Sequence, residues 1–308
     1  VEEALRMKHA KDRSGKILAI GYQDIASPTV QRIKTITQEH SLGKLLSAKT
    51  MALFPRDSLY YARNSWAGKM EIDGIKIFDS PLQNPGAHNV NMMLYISGSG
   101  RYDSAFPVEV YGENYRANRI DAADTQYLRI RTDNDIPIAM MTTFATENRL
   151  PPFSEFLYEH GKITWQRDPN GKTQIYAKEK KTFTLNEELD NGNIPLAERL
   201  LIDVIDAIQY ARAPLSNIDN SLQHTVCING LFESSPEIVD IDEQFILHKE
   251  VESGQTFYEK KPSSATQVII RDIEKIVTDM FQNDLSFSEA GIAWAKPGKK
   301  VLIPKIIL

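Results

Sequence analysis

"DTQYLRIRTDNDIPIAMMTTFAT", residues 124 to 146, decides the fold. Two runs rich in β-branched and aromatic residues flank "TDNDIP", whose Asp, Asn and Pro suit a tight reversal, so the stretch predicts an antiparallel hairpin. The same texture extends outward. "FPVEVYGENY" (106 to 115) precedes it, and "FSEFLYEH" (153 to 160), "GKITWQR" (161 to 167) and "KTQIYAKE" (172 to 179) follow, with "HG" at 160 and 161 as a second turn. Together they read as an antiparallel meander. An amphipathic helix over 196 to 213, stopped by Pro214, comes next, then a second helix over 216 to 232. The tail offers short strands, a helix over 264 to 282 and an apolar end, "KKVLIPKIIL".

The front of the chain has another texture. Residues 2 to 13 carry helical spacing, closed by Ser14 and Gly15, and "KILAIGYQ" (16 to 23) is a nearly continuous apolar run. Such a run predicts a strand buried on both faces, as in a parallel sheet. Ser27 before Pro28 opens a helix that ends near "HSLG" (40 to 43), and "KLLSAKTMALFP" (44 to 55) reads as a strand. The order is therefore a scrap of α/β, a mostly antiparallel sheet, then helices: an α+β fold.

With 308 residues, 42% hydrophobic and 25% charged, the chain can bury a large core. A net charge of -5 argues against nucleic acid as a partner, which calls for clustered Lys and Arg. The one basic run, "YAKEKKTF" (176 to 183), has an acid inside it and reads as a solvated strand or turn. A single cysteine, Cys227, excludes an intrachain disulfide and a Cys-based metal cage, and fits a reducing cytoplasm. No apolar stretch predicts a membrane helix, and no leader pattern opens the chain.

Few familiar catalytic patterns are present. "GSGRYD" (98 to 103) lacks a third glycine and follows a helix, so it reads as a helix end and loop rather than a pyrophosphate cradle. His88 and His224 lie far apart in sequence, and His9, His40, His160 and His248 sit in polar surroundings, so no metal site is expected. Cys227, on an apolar helix face, reads as a small core residue.

Two polar clusters remain. "PRDSLYYARNSWAG" (55 to 68) gathers Tyr60, Tyr61, Arg63, Asn64 and Trp66, the hydroxyl, guanidinium and indole groups that would bind a polyol or form a surface interface. "DSPLQNPGAH" (79 to 88) sets Asn84 and His88 four apart where a helix begins, so the two share one face. A histidine there feels the positive end of the helix dipole, which favours neutral imidazole, a form able to take a proton. The competing reading is an Asn or Asp cap beside a buried, satisfied histidine.

These stretches, taken with "ILAIGYQ", "YRANRIDAADTQYLRIRTDN", "GKITW" and "FSEAGIAWAKP", resemble the Gfo/Idh/MocA family of nicotinamide-dependent oxidoreductases in order and spacing along nearly the whole chain. The resemblance implies a remnant of a dinucleotide-binding Rossmann domain, one helix and one strand, over 1 to 26. It implies a substrate-binding and oligomerisation domain over 27 to 308, with a large open, mostly antiparallel sheet covered by helices on one face. It further implies NAD or NADP as cofactor, a sugar or cyclitol substrate and a homo-oligomer joined through the open sheet.

His88 then matches the family's acid/base residue, and Asn84 stands where an acidic residue is usual, with Asp79 upstream as the candidate to supply the missing charge. Asn91 matches a position that is often Asp. Tyr60, Tyr61, Arg63, Asn64, Trp66 and Asn91 are expected at the substrate, and Gln23 near the nicotinamide. The Gly-rich loop, the ribose-binding acid and the Glu-Lys-Pro motif are expected to precede Val1, so this chain alone is expected to be inactive and to bind no cofactor. The alternative is a non-catalytic carbohydrate-binding or oligomerisation module derived from the family.

Overall fold

The computed structural model describes residues 1–167, 173–177, 183–185, 194–253 and 263–305, the last strand residues 183–185 by backbone alone. Most of "YAKEKKTF" lies outside the described residues.

The chain opens with α1 (Glu2–Ser14), closed by Gly15 in the left-handed conformation at φ 65. None of its residues is buried. It is tethered by Lys8 and Lys11, which both pair with Asp219, Lys11 at 3.1 Å. The strand expected at 16 to 23 does not form. A strand needs a ladder of edge hydrogen bonds, and the described residues supply one bridge, Ala19 to Asn217, with Ile20 N–H donating to Ser216 O at 3.0 Å. The run is instead partly exposed, Ile17 at 36%, and passes into a 3-10 turn over Gln23–Ala26. Then come α2 (Pro28–Gln38), β1 (Leu45–Leu53), a short α3 (Ser58–Ala62), the small hairpin β2 (Glu71–Ile72) and β3 (Ile75–Lys76), and α4 (Ala87–Ser97).

The meander follows as expected: β4 (Pro107–Arg116), β5 (Thr125–Thr132), β6 (Pro137–Thr143), β7 (Leu150–Tyr158), β8 (Gly161–Gln166), β9 (Thr173–Ala177) and β10 (Phe183–Leu185). Both turns sit where the sequence placed them, Asp135 taking φ 60 in the first and Tyr158 pairing with Gly161 across the second. Next are α5 (Leu196–Gln209), α6 (Ile218–Ser234), β11 (Val239–Asp240), β12 (Ile246–Ser253), β13 (Ser263–Ile270), α7 (Ile273–Asn283) and β14 (Val301–Leu302). The helix expected over 264 to 282 is half strand. Thr266, Val268, Ile269 and Ile270 are β-branched and pair in register with β12, and Asp272 at φ 58 turns the chain before α7 begins.

One ten-stranded sheet has the order β10-β9-β8-β7-β1-β6-β5-β4-β11, with β14 also on β4. At its centre β1 is parallel to β6 and antiparallel to β7. Strand alternation sorts the residues into two cores. Toward α2, α4 and α6 lie Ile33, Val90, Val110, Met140 and Phe156. On the other face Tyr127, Met141 and Leu53 meet Val277 and Phe281 of α7 and Trp294 of the tail. The approach of α6 to β4 is close enough that a Cβ on Gly112 would stand 2.0 Å from Leu231 Cδ1 and force that side chain to shift.

Lys34 of α2 is 1% exposed and pairs with the carbonyls that close α4, those of Tyr95 and Gly98 (2.6 Å), and with Asp103 O at 3.2 Å. Among the described residues no helix is long and apolar enough to cross a membrane.

Candidate active site

The sequence before α4 makes successive turns because Pro81, Pro85 and Gly86 interrupt it. Gly86 N–H donates to Pro81 O at 2.7 Å, and a Cβ at Gly86 would sit 2.7 Å from that same oxygen, so glycine is needed for the entry. Gly86 is also the N-cap and gives no side-chain cap. Neither Asn84 nor Asp79 caps the helix.

His88, second in α4, is half-buried, and its Nδ1 is buried with no hydrogen-bond partner. The expectation of a satisfied histidine therefore fails. The ring of Tyr22 stands edge-on to His88 at 5.8 Å and to His224 at 5.6 Å. His224 Nε2–H donates to Leu82 O at 3.1 Å, which leaves Nδ1 to accept from the Tyr22 hydroxyl at 2.9 Å. This chain of bonds fixes the tautomer of His224 and the direction of Tyr22. Burial holds the His224 ring down to about 4 and pushes the Tyr22 hydroxyl up to about 12.

Burial also lowers the pKa of His88, with Arg167 acting in the same direction and Asp24 against it. Asp24, 1% exposed, meets the Arg167 guanidinium at 2.9 Å, and burial raises its carboxyl. At neutral pH the His88 imidazole is therefore uncharged and has a free nitrogen, the state a general base requires.

Asp79 has a different occupation. Its Oδ2 accepts from Gly68 N–H at 2.8 Å and stands 3.8 Å from Arg63, while Oδ1 accepts from the Asn84 amide at 3.0 Å. The expected supply of charge from Asp79 to His88 is thus replaced by ties to the 60s loop, and the hydrogen bonds that Asn84 makes run to Asp79 and, at 3.4 Å, to the Tyr60 hydroxyl.

In that loop Asp57 caps α3 by accepting from Tyr60 N–H at 3.0 Å. The Arg63 guanidinium lies 3.6 Å from the Tyr60 ring centroid and 4.8 Å from that of Trp66, which is 39% exposed. The Tyr61 hydroxyl is buried without a partner, and burial raises its pKa. Asn64 accepts from the N–H groups of Trp66 and Ala67, shaping the turn. Asn91 does not reach a ligand surface as expected: it is fully buried, its amide 3.4 Å from Asn220 O of α6. A cleft of about 830 Å³ opens beside Tyr61, between Arg116, Asp240 and His248, and His88 is not among its walls.

Sequence reasoning missed Tyr22, Asp24, Arg167 and the proximity of His224 to His88. The local signal was the polar "YQD" (22 to 24) at the end of an apolar run, next to the expected Gln23, which is half-buried at the start of the 3-10 turn. Cys227 is buried in α6, where burial raises its thiol. No cluster of metal-ligating side chains occurs among the described residues.

No family model matches the sequence, and no curated protein matches it. Solved structures share the fold. The UDP-N-acetylglucosamine 3-dehydrogenase GnnA from Acidithiobacillus ferrooxidans superposes with a TM-score of 0.58 at 14% identity, covering 76% of this chain and 66% of that one. The WlbA dehydrogenase from Bordetella pertussis, solved with NADH and UDP-GlcNAcA, gives 0.60 at 20% identity over the same shares. A levoglucosan dehydrogenase in complex with NADH gives 0.63 at 16% identity, over 76% and 68%. The chain thus spans about two thirds of the length of these oxidoreductases and has their fold over that span.

Proposed function

We propose that the chain is part of a Gfo/Idh/MocA-type oxidoreductase that transfers a hydride between a hydroxyl-bearing carbon of a sugar or cyclitol and NAD or NADP. The observation that carries this reading is the buried, unpartnered Nδ1 of a neutral His88 on a fold shared with sugar dehydrogenases. Gln23, Tyr22 and the edge of His88 are the residues here that would flank a nicotinamide, which supplies the hydride acceptor when bound. His88 accepts the hydroxyl proton as the carbon is oxidised. Tyr60, Arg63 and Trp66 offer the stacked aromatic and cationic surface for the polyol, and Asn64 and Tyr61 shape it. On this reading Asp79, Asn84 and Asn91 hold structure, and the 308 residues alone do not turn over, because the resemblance places the pyrophosphate loop outside them.

A homo-oligomer joined through the open sheet is part of this reading and comes from the resemblance. Leu157 of β7, 42% exposed on the second sheet face, is one side chain such a contact would cover. The cytoplasm is the compartment this reading favours.

The place of Asn84, and the engagement of Asp79 elsewhere, favour the second reading, a carbohydrate-binding or oligomerisation module without turnover. Assaying the full-length protein against a panel of sugars and cyclitols with NAD and NADP separates the two. Substrate-dependent NADH or NADPH formation supports the dehydrogenase. Saturable sugar binding with no turnover by either nucleotide overturns it and leaves the module.

A further inference from the structure

The family resemblance leaves His88 without its acidic companion, since Asn84 stands at that position and donates its amide to Asp79. Two of the groups around His88 are nonetheless charged and form an ion pair. From the 3-10 turn comes Asp24, from the end of β8 Arg167, from the segment before the turn Tyr22, and from α6 the neutral His224. Asp24 is the one anion among them.

Its setting is unusual for a structural carboxylate. It is 1% exposed, its contact with Arg167 is an ion pair at 2.9 Å, and neither oxygen has a hydrogen-bond partner. Buried carboxylates that only hold a fold are normally satisfied by hydrogen-bond donors, as Asp124 is here by N–H groups of Ala117 and Asn118 and the Thr125 hydroxyl. Desolvating Asp24 without those bonds is costly. That arrangement suits a site where a second positive charge arrives during the reaction.

We propose that Asp24 is the positioning carboxylate of this site, offsetting the charge His88 acquires when it takes the substrate proton. The assignment rests on His88 being the base. In the step, the substrate O–H bond breaks and an N–H bond forms on His88, while the C–H bond breaks and its electron pair leaves as hydride to the nicotinamide. Arg167 balances Asp24 before the proton arrives. After it, the Asp24 charge offsets two cations and favours the imidazolium electrostatically.

The test uses the 308-residue chain with ¹⁵N-labelled histidine, the His88 signal assigned by its loss in His88→Gln. In the parent chain His88 titrates below the ordinary 6.5. Asp24→Asn is expected to lower its midpoint by a further amount of about one pH unit, and Arg167→Gln to raise it. Simple loosening of the fold would instead move His88 up toward 6.5 in Asp24→Asn. A midpoint that is unchanged or raised in Asp24→Asn overturns the proposal. If that variant does not fold, the double variant Asp24→Asn/Arg167→Gln decides: a midpoint below that of Arg167→Gln supports Asp24, and an equal one sinks it. No substrate or nucleotide enters this measurement, so failure of the dehydrogenase reading would appear in turnover and leave this result standing.

Discussion

Two polar clusters meet at the front end of α4 and differ in how their atoms are satisfied. Around Asp79, the carboxylate takes Gly68 N–H and the Asn84 amide and lies beside Arg63. Around His88, the imidazole Nδ1 and both oxygens of Asp24 are buried without hydrogen bonds. Native structures pair most buried polar atoms, so the Asp79 carboxylate reads as scaffold, and in the proposed function the proton goes to the His88 side; on the Asp79 side the Tyr61 hydroxyl and Ser80 Oγ are buried atoms left unpaired. Residue type alone pointed to both.

The sharpest way to break this contrast is His88→Ala in the full-length protein. Loss of a general base is expected to reduce kcat about 10³-fold with the melting temperature nearly unchanged. Turnover close to that of the parent would remove the distinction at once.

A second measurement asks whether the His88 side is as dry as the structure has it. Complete burial places His224 at about 4, below the ordinary 6.5. Between those values the unfolded chain binds a proton that the native one refuses. Stability from this group is therefore full above 6.5 and is lost as pH falls toward 4, by roughly 3 kcal/mol. Urea unfolding at pH 7 and pH 4.5 should show the decline, and His224→Gln should remove most of it. An unchanged slope in the variant would mean that water reaches the ring.

The smallest effect belongs to the scaffold. Asp79→Ala leaves Gly68 N–H unpaired and the Asn84 amide with only its 3.4 Å contact to the Tyr60 hydroxyl, and is expected to cost about 2 kcal/mol in urea unfolding. Its effect on kcat should be far smaller than that of His88→Ala. If Asp79→Ala abolished turnover while remaining folded, the two clusters would have to be treated as one site.

Much of the fold was legible because runs rich in β-branched and aromatic residues in β4 to β8 are separated by turn residues at 133 to 135 and at 160. Local signals failed where the deciding partner is remote. "KILAIGYQ" has the composition of a buried strand, yet burial depends on neighbours that its own residues do not encode. Ala265, Val268 and Ile269 satisfy helical spacing, and pairing with β12 nonetheless makes the segment a strand. At the site, His88 was legible from its place at a helix start. Asp24, Arg167 and His224 were not, since they come from a turn, a strand end and a distant helix, and only the folded sheet brings them together.

The grip of Lys34 on the rear of α4 has a mechanical meaning for the front. Burial lowers the Lys34 pKa to about 7, and in its charged form the ammonium against the terminal carbonyls suits the negative end of the helix dipole and ties the rear of α4. With Lys34 on its last carbonyls and Gly86 N–H on Pro81 O, α4 is tied at both ends. The imidazole is thus carried on an element whose place is set by contacts remote from the ring.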